Sequence, residues 1–258
     1  MSDANERILV SGIELDVLRR GAGQPILLLH GFQNLDPQAP FLDRLGRHGE
    51  VIAPSHPGFG GSPRPDGFET VYDLVLLYLD LIDRLGHEKI ALVGLSFGGW
   101  LAAEIALHAG GRVGKLVLVD PLGIKISGPE TPDILDVFNA SPAEVMRRSW
   151  HDVRNAPDFD AMPDEALVLY ARNREALCLY GWHPYLHNPR LKRWLPRITS
   201  PTLVLWGAGD GIVTPDYGKA FAALIPGARF ELIEGAGHHP EIEQPQATAS
   251  RIAAFLKN

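Results

Sequence analysis

Gly94-Leu95-Ser96-Phe97-Gly98-Gly99 is the stretch on which the fold turns. An apolar run, Ile90-Ala91-Leu92-Val93, leads into it. An Ala/Leu/Ile-rich segment, Phe97–His108, leads away and stops before Gly110-Gly111. The order is buried strand, sharp turn, helix. A side chain at the apex of such a turn has unfavourable backbone angles, and glycines at Gly94 and Gly98 let the neighbouring backbones close in. The helix N-terminus beyond Ser96 supplies free N–H groups and the positive end of a dipole, both of which favour developing negative charge. Gly-x-Ser-x-Gly is common by chance. The strand before it and the helix after it make Ser96 a candidate nucleophile rather than a residue in an ordinary tight turn.

Short, continuously apolar runs recur on either side, at 26–29, 51–53, 116–119, 202–205 and 230–233. Continuous rather than alternating apolarity marks strands buried on both faces, as in a parallel sheet. Helical segments lie between them: Val71–Leu85 with Gly86 as its stop, 216–224 after Pro215, and 245–256. Segments 7–10 and 14–18 flank Ser11-Gly12-Ile13 and read as an antiparallel hairpin at one sheet edge. The pattern predicts an α/β fold: a mostly parallel, twisted, eight-stranded sheet with helices on both faces. Residues 122–196 break the rhythm. They hold Pro-rich turns, amphipathic pieces at 142–150 and 164–179, and Trp150, Trp182 and Trp194, three of the five tryptophans. They read as a helical insertion, a cap on a core formed by 1–121 and 197–258.

Composition narrows the function. The 258 residues are 45% hydrophobic and 21% charged, which suits a folded domain with a sizeable core. The formal net charge is −7 with no Lys/Arg run, so nucleic acid is not an expected partner. The lone cysteine, Cys178, allows no internal disulfide or thiolate zinc site and reads as packing. Residues 1–7 are polar with no secretory pattern, and the longest apolar stretch, 74–82, is broken by Asp80 and too short to span a bilayer. A cytoplasmic protein acting on a small molecule, with no membrane partner, is the expectation. Oligomeric state leaves no signal.

A serine hydroxyl needs a base, and the base needs an orienting carboxylate. Ten histidines compete. Gly235-Ala236-Gly237-His238-His239-Pro240 follows the last strand, where loops at carboxyl ends of parallel strands form a ligand crevice, so His238 and His239 are the candidates. Asp210, in Trp206-Gly207-Ala208-Gly209-Asp210, directly follows a strand and fits the acid. Asp120, ending the preceding strand, is its competitor, with a supporting or capping role as the alternative. An oxyanion would be met by the N–H of Phe97 and, after the strand at 26–29, by that of Phe32 in His30-Gly31-Phe32. No ligand-spaced metal cluster stands apart from these residues, and no cofactor is expected.

Five pieces together resemble the α/β-hydrolase superfamily: His30-Gly31-Phe32, His56-Pro57-Gly58-Phe59-Gly60-Gly61-Ser62, the Ser96 turn, Gly207-Ala208-Gly209-Asp210, and Gly237-His238 followed by Glu243-Gln244-Pro245. The resemblance implies a helical lid at 122–196 and selects His238 over His239. It implies a serine hydrolase with a Ser96–His238–Asp210 triad. Serine at the turn argues against dehalogenases and epoxide hydrolases, which carry aspartate there. Carboxylesterase chemistry on a small ester or lactone is the simplest reading. The chain also looks like the branch of meta-cleavage carbon–carbon bond hydrolases, though His239 and Phe32 depart from that pattern. Trp150, Arg172, Trp182, Tyr185 and His239 are the pocket candidates. A ligand-binding, receptor-like protein without turnover is the reading from another class.

Overall fold

Leu27 and Leu29 point into one hydrophobic core, and Ile26 and Leu28 into another. The same alternation runs through Leu92 and Val93, Leu116 and Val117, and Val204 and Leu205. Successive strand residues face opposite sides, so a strand covered on both sides reads as an unbroken apolar run. The computed structural model, which describes residues 5–257, arranges eight such strands in one sheet. They are β1 (Asn5–Val10), β2 (Ile13–Arg20), β3 (Pro25–Leu29), β4 (Glu50–Pro54), β5 (Ile90–Leu95), β6 (Val113–Val119), β7 (Thr202–Gly207) and β8 (Arg229–Ile233), in the order β1-β2-β4-β3-β5-β6-β7-β8. The β1–β2 and β2–β4 pairings are antiparallel and the rest parallel, so the hairpin stands at the edge, as its sequence predicts. Residues 1–4 of the polar N-terminal stretch, and residue 258, lie outside the described residues.

The helices in chain order are α1 (Pro40–Gly46), α2 (Val71–Leu85), α3 (Phe97–His108), α4 (Pro142–Ser149), α5 (Asp164–Gly181), α6 (Leu191–Trp194), α7 (Pro215–Ala223), α8 (Pro240–Glu243) and α9 (Pro245–Lys257). Helices α2, α3 and α7 pack on one face of the sheet, α1 and α9 on the other. Local chemistry sets their ends. The Thr70 side chain accepts from the Asp73 N–H while Asp73 accepts from the Thr70 N–H, a capping box that starts α2; Gly86 at φ 70° closes it. Helix α7 begins one residue earlier than the sequence suggests, because Pro215 needs no N–H partner at the first position.

Between β6 and β7 the chain forms α4, α5 and α6, joined by irregular segments. Its only strand-like pairings among the described residues are single bridges, Gly123 with His187 and Ile134 with Val213. The sheet order reverses at β3. Its successor β4 lies on one side, while β5 pairs on the other, with Leu29 opposite Gly94. The crevice beyond the carboxyl ends of β3 and β5 is the place where such sheets bind ligands. Among the described residues, no helix is long and apolar enough to cross a membrane.

Candidate active site

Ser96 stands at that crevice with φ 49° and ψ −112°, a region that non-glycine residues enter at a cost of roughly 1–3 kcal/mol. The surroundings impose it. The Ser96 N–H donates to the Val119 carbonyl at 2.8 Å, and its carbonyl accepts from Gly99, Trp100 and Leu122. A Cβ on Gly94 would lie 2.2 Å from the Gly98 carbonyl oxygen, and one on Gly98 would lie 2.3 Å from that of Leu29, so only glycine fits at either position. The loop after β3 is equally close: a Cβ on Gly31 would sit 3.1 Å from the Ser96 Cβ.

Three side chains from distant stretches meet here. Ser96 Oγ lies 2.7 Å from His238 Nε2, and His238 Nδ1 lies 2.7 Å from Asp210 Oδ2. All three are buried: Ser96 is 8%, His238 7% and Asp210 4% exposed. Asp210 Oδ1 accepts from the N–H groups of Ile212 (2.8 Å) and Val213 (3.1 Å), leaving Oδ2 for the imidazole. The His238 N–H donates to the Ser149 carbonyl at 2.6 Å. Burial opposes the imidazolium, but the charge and hydrogen bond of Asp210, with the charge of Glu241, outweigh it and hold His238 above the ordinary imidazole range. His239, the rival base, instead lies against the Trp150 ring, centroids 4.6 Å apart.

Asp120, the rival acid, is 1% exposed beside this group. One ligand-type atom each from Asp120, Asp210 and His238 lie within 4.8 Å of one another, the only such trio among the described residues. It makes a poor metal site. Both ring nitrogens of His238 and both oxygens of Asp210 are already hydrogen bonded. Two ionised carboxylates at that spacing would repel by at least roughly 3 kcal/mol at an effective dielectric near 20, which favours a shared proton between them.

Phe97 opens α3, so its N–H has no intrahelical acceptor. Phe32 follows Gly31 in the loop pressed against Ser96. A buried chain of polar groups holds that loop. The Tyr78 hydroxyl pairs with His56 Nδ1, His56 Nε2 with the His30 carbonyl (2.9 Å), the His56 N–H with His30 Nε2 (2.9 Å), and His30 Nδ1 with the Gly31 carbonyl (2.9 Å). The acceptor role of His30 Nε2 puts its proton on Nδ1. Burial pushes His30 down to about 4 and His56 well below its ordinary value, so both are neutral.

The pocket candidates separate. Trp150 and His239 are at the triad. Arg172 is tied down, its Nε 3.1 Å from the Gly58 carbonyl oxygen and a terminal nitrogen 2.8 Å from that of Ser62. The Tyr185 hydroxyl donates to the Leu135 carbonyl and accepts from the Val137 N–H, anchoring one stretch of the helical segment to another. Trp182 is 60% exposed and packs on Phe138. Sequence reasoning did not find Asn173. Fully buried on α5, it accepts from the Gly60 N–H (3.0 Å) and donates to Gln33 (2.6 Å) and Asn34 (2.9 Å), joining three segments around the crevice. An asparagine inside a helix of better helix formers was the available signal.

A strained serine between strand and helix, hydrogen bonded to a histidine that is oriented by an aspartate, defines a nucleophilic hydrolase site on an α/β sheet. Residues 26–251 match the Alpha/beta hydrolase family profile, and the chain belongs to that family. It is similar, at 28% identity over 99% of this chain and 97% of the relative, to 2-hydroxy-6-oxo-2,4-heptadienoate hydrolase of Pseudomonas putida. Among solved structures it resembles a mutant of the meta-cleavage product hydrolase CumD, with TM-score 0.80 and 25% identity, covering 99% of this chain and 98% of that one. It also resembles a malate-bound thermophilic esterase from Thermogutta terrifontis, with TM-score 0.75 and 27% identity, covering 98% and 97%.

Proposed function

We propose that this hydrolase cleaves a small-molecule ester or lactone through an acyl-enzyme on Ser96. The 2.7 Å contact between Ser96 Oγ and His238 Nε2 carries the reading. His238 accepts the hydroxyl proton as Ser96 attacks the carbonyl, and Asp210 fixes the imidazole tautomer and stabilises the imidazolium. The Phe32 and Phe97 N–H groups hold the oxyanion. His238 then protonates the leaving alcohol, and water repeats the sequence on the acyl-enzyme. Residues 122–196 act as the cap over the crevice, and Trp150 from that segment lies against His239 beside His238.

The similarity to 2-hydroxy-6-oxo-2,4-heptadienoate hydrolase and to the meta-cleavage product hydrolase CumD favours a second reading, carbon–carbon bond hydrolysis at the same triad. One screen separates the two: esters, lactones and vinylogous diketones offered to the wild type and to Ser96→Ala side by side. Turnover of esters or lactones that Ser96→Ala abolishes supports the first reading, and turnover of the diketones alone supports the second. Stoichiometric binding without turnover of any of them would replace both with the receptor-like reading.

A further inference from the structure

Strands β6 and β7 are neighbours, and each leads to a buried aspartate at the same rim. The two are served differently. Asp210 accepts three N–H groups, from Ile212, Val213 and His238. Asp120 accepts one, from Gly207 to Oδ1 at 2.9 Å, while its Oδ2 is buried with no partner. Asp120 is also held in a left-handed conformation, φ 45°, with its N–H bonded to the Leu205 carbonyl at 3.0 Å. Both side chains are buried and each accepts from backbone N–H groups.

A buried orphan oxygen beside a carboxylate has two solutions: a donor must reach it, or it must be the donor. Asp210 has only lone pairs to offer. The negative charge belongs on the acid that collects three N–H groups. We propose that Asp120 is a neutral carboxylic acid whose Oδ2–H donates to Asp210, a positioning residue that fixes the carboxylate against which His238 turns. The proposal rests on the triad reading given above.

Its surroundings agree. Burial, then the charge of Asp210, pushes the Asp120 carboxyl well above the ordinary carboxylate range, and Glu241 adds to the push. The titratable groups facing the pair are His238, from the loop after β8, and Glu241, from α8. An ionised Asp120 would place a second full negative charge beside the imidazole and favour the imidazolium further. A protonated Asp120 supports Asp210 without that effect, so one acid orients the base and the other orients the acid.

The test is made on the free protein. Difference infrared spectra of wild type and Asp120→Asn at pH 7 should show a protonated carboxylic acid in the wild type that the variant lacks. Should Asp120→Asn not fold, carbon-13 NMR of aspartate-labelled wild type reads the same state as one aspartyl carboxyl at its protonated shift. The His238 imidazole titration, followed by NMR, should keep its midpoint in Asp120→Asn, because a neutral amide replaces a neutral acid. Loss of a real charge there would lower the midpoint by about one unit or more. Asp120→Ala, which cannot donate, should lower kcat about 10-fold with little change in KM, and Asp120→Asn should recover most of that loss. Absence of the carboxylic acid signal, or a midpoint that falls in Asp120→Asn, overturns the proposal and leaves the triad standing. Ester turnover surviving in Ser96→Ala would sink the triad without moving either spectroscopic readout.

Discussion

At the rim of the sheet, backbone holds the reacting groups. Ser96 is fixed by the Val119 carbonyl and by glycines that admit no side chain, and Asp210 by two backbone N–H groups. The helical segment between β6 and β7 reaches the same crevice through side chains. Asn173 joins Gly60 to Gln33 and Asn34, Arg172 grips the 58 and 62 carbonyls, and the Tyr180 hydroxyl donates to the Pro57 carbonyl. Backbone joins the two at a few points: the Ser149 carbonyl takes the His238 N–H, the Arg148 carbonyl takes the Gly211 N–H, the Leu122 N–H reaches the Ser96 carbonyl and the Leu135 N–H reaches that of Ile212. A rim specified by backbone tolerates little change, whereas contacts made by side chains can be exchanged one at a time. On the proposed function, chemistry falls to the rim, and closure and selectivity to the helices.

Substitutions can break that division. The largest effect is expected at Asp210: Asp210→Asn should lower kcat by roughly 10^3- to 10^4-fold, through loss of the correct tautomer and of imidazolium stabilisation. Asp120→Asn should cost far less. Steady-state kinetics of the two variants rank them, and the reverse order would move the orienting acid to β6.

Acid tests the rim loop that carries Phe32. Unfolded His30 takes a proton near pH 6.5, while in the folded protein it resists until about 4. Stability is therefore flat above pH 6.5 and falls below it, by roughly 2 kcal/mol between pH 7.5 and pH 5 from this residue alone. His56 adds in the same direction. Urea unfolding at the two pH values reads the difference, and equal stabilities would contradict the neutral histidine pair.

Asn173→Ala leaves the Gly60 N–H and the Gln33 and Asn34 side chains without their partner and should destabilise the protein by about 1–3 kcal/mol. Thermal or urea unfolding checks it, and a change under 0.5 kcal/mol would mean that α5 is not held to the rim this way. The smallest effect is expected at Trp182. Exposed and packed on Phe138, it should change kcat/KM for a short ester by less than about 2-fold when replaced by alanine. A tenfold loss would return it to the substrate pocket.

The same contrast explains what could be read in the sequence. The sheet was legible because strands covered on both faces leave continuous apolar runs, as at Leu27-Leu28-Leu29. The Ser96 turn was legible because glycine is the one residue that fits at 94 and 98, and His238 lies 2.7 Å from both Ser96 Oγ and Asp210 Oδ2. The helical segment was legible only as a departure from rhythm. Asn173 and Arg172 act on backbone groups more than 100 positions away, and such contacts leave no periodic trace. The state of Asp120 could not be read because it depends on which N–H groups reach which oxygen, a consequence of chain path rather than residue type.

The claim beneath all of this is that Ser96 forms the covalent bond. The direct measurement is reaction of the intact protein with a fluorophosphonate, followed by peptide mapping by mass spectrometry, in wild type and Ser96→Ala. One adduct per chain on the peptide containing Ser96, absent from the folded Ser96→Ala protein, is the expected result. Labelling of the variant to the same extent, or an adduct on another residue, would contradict it.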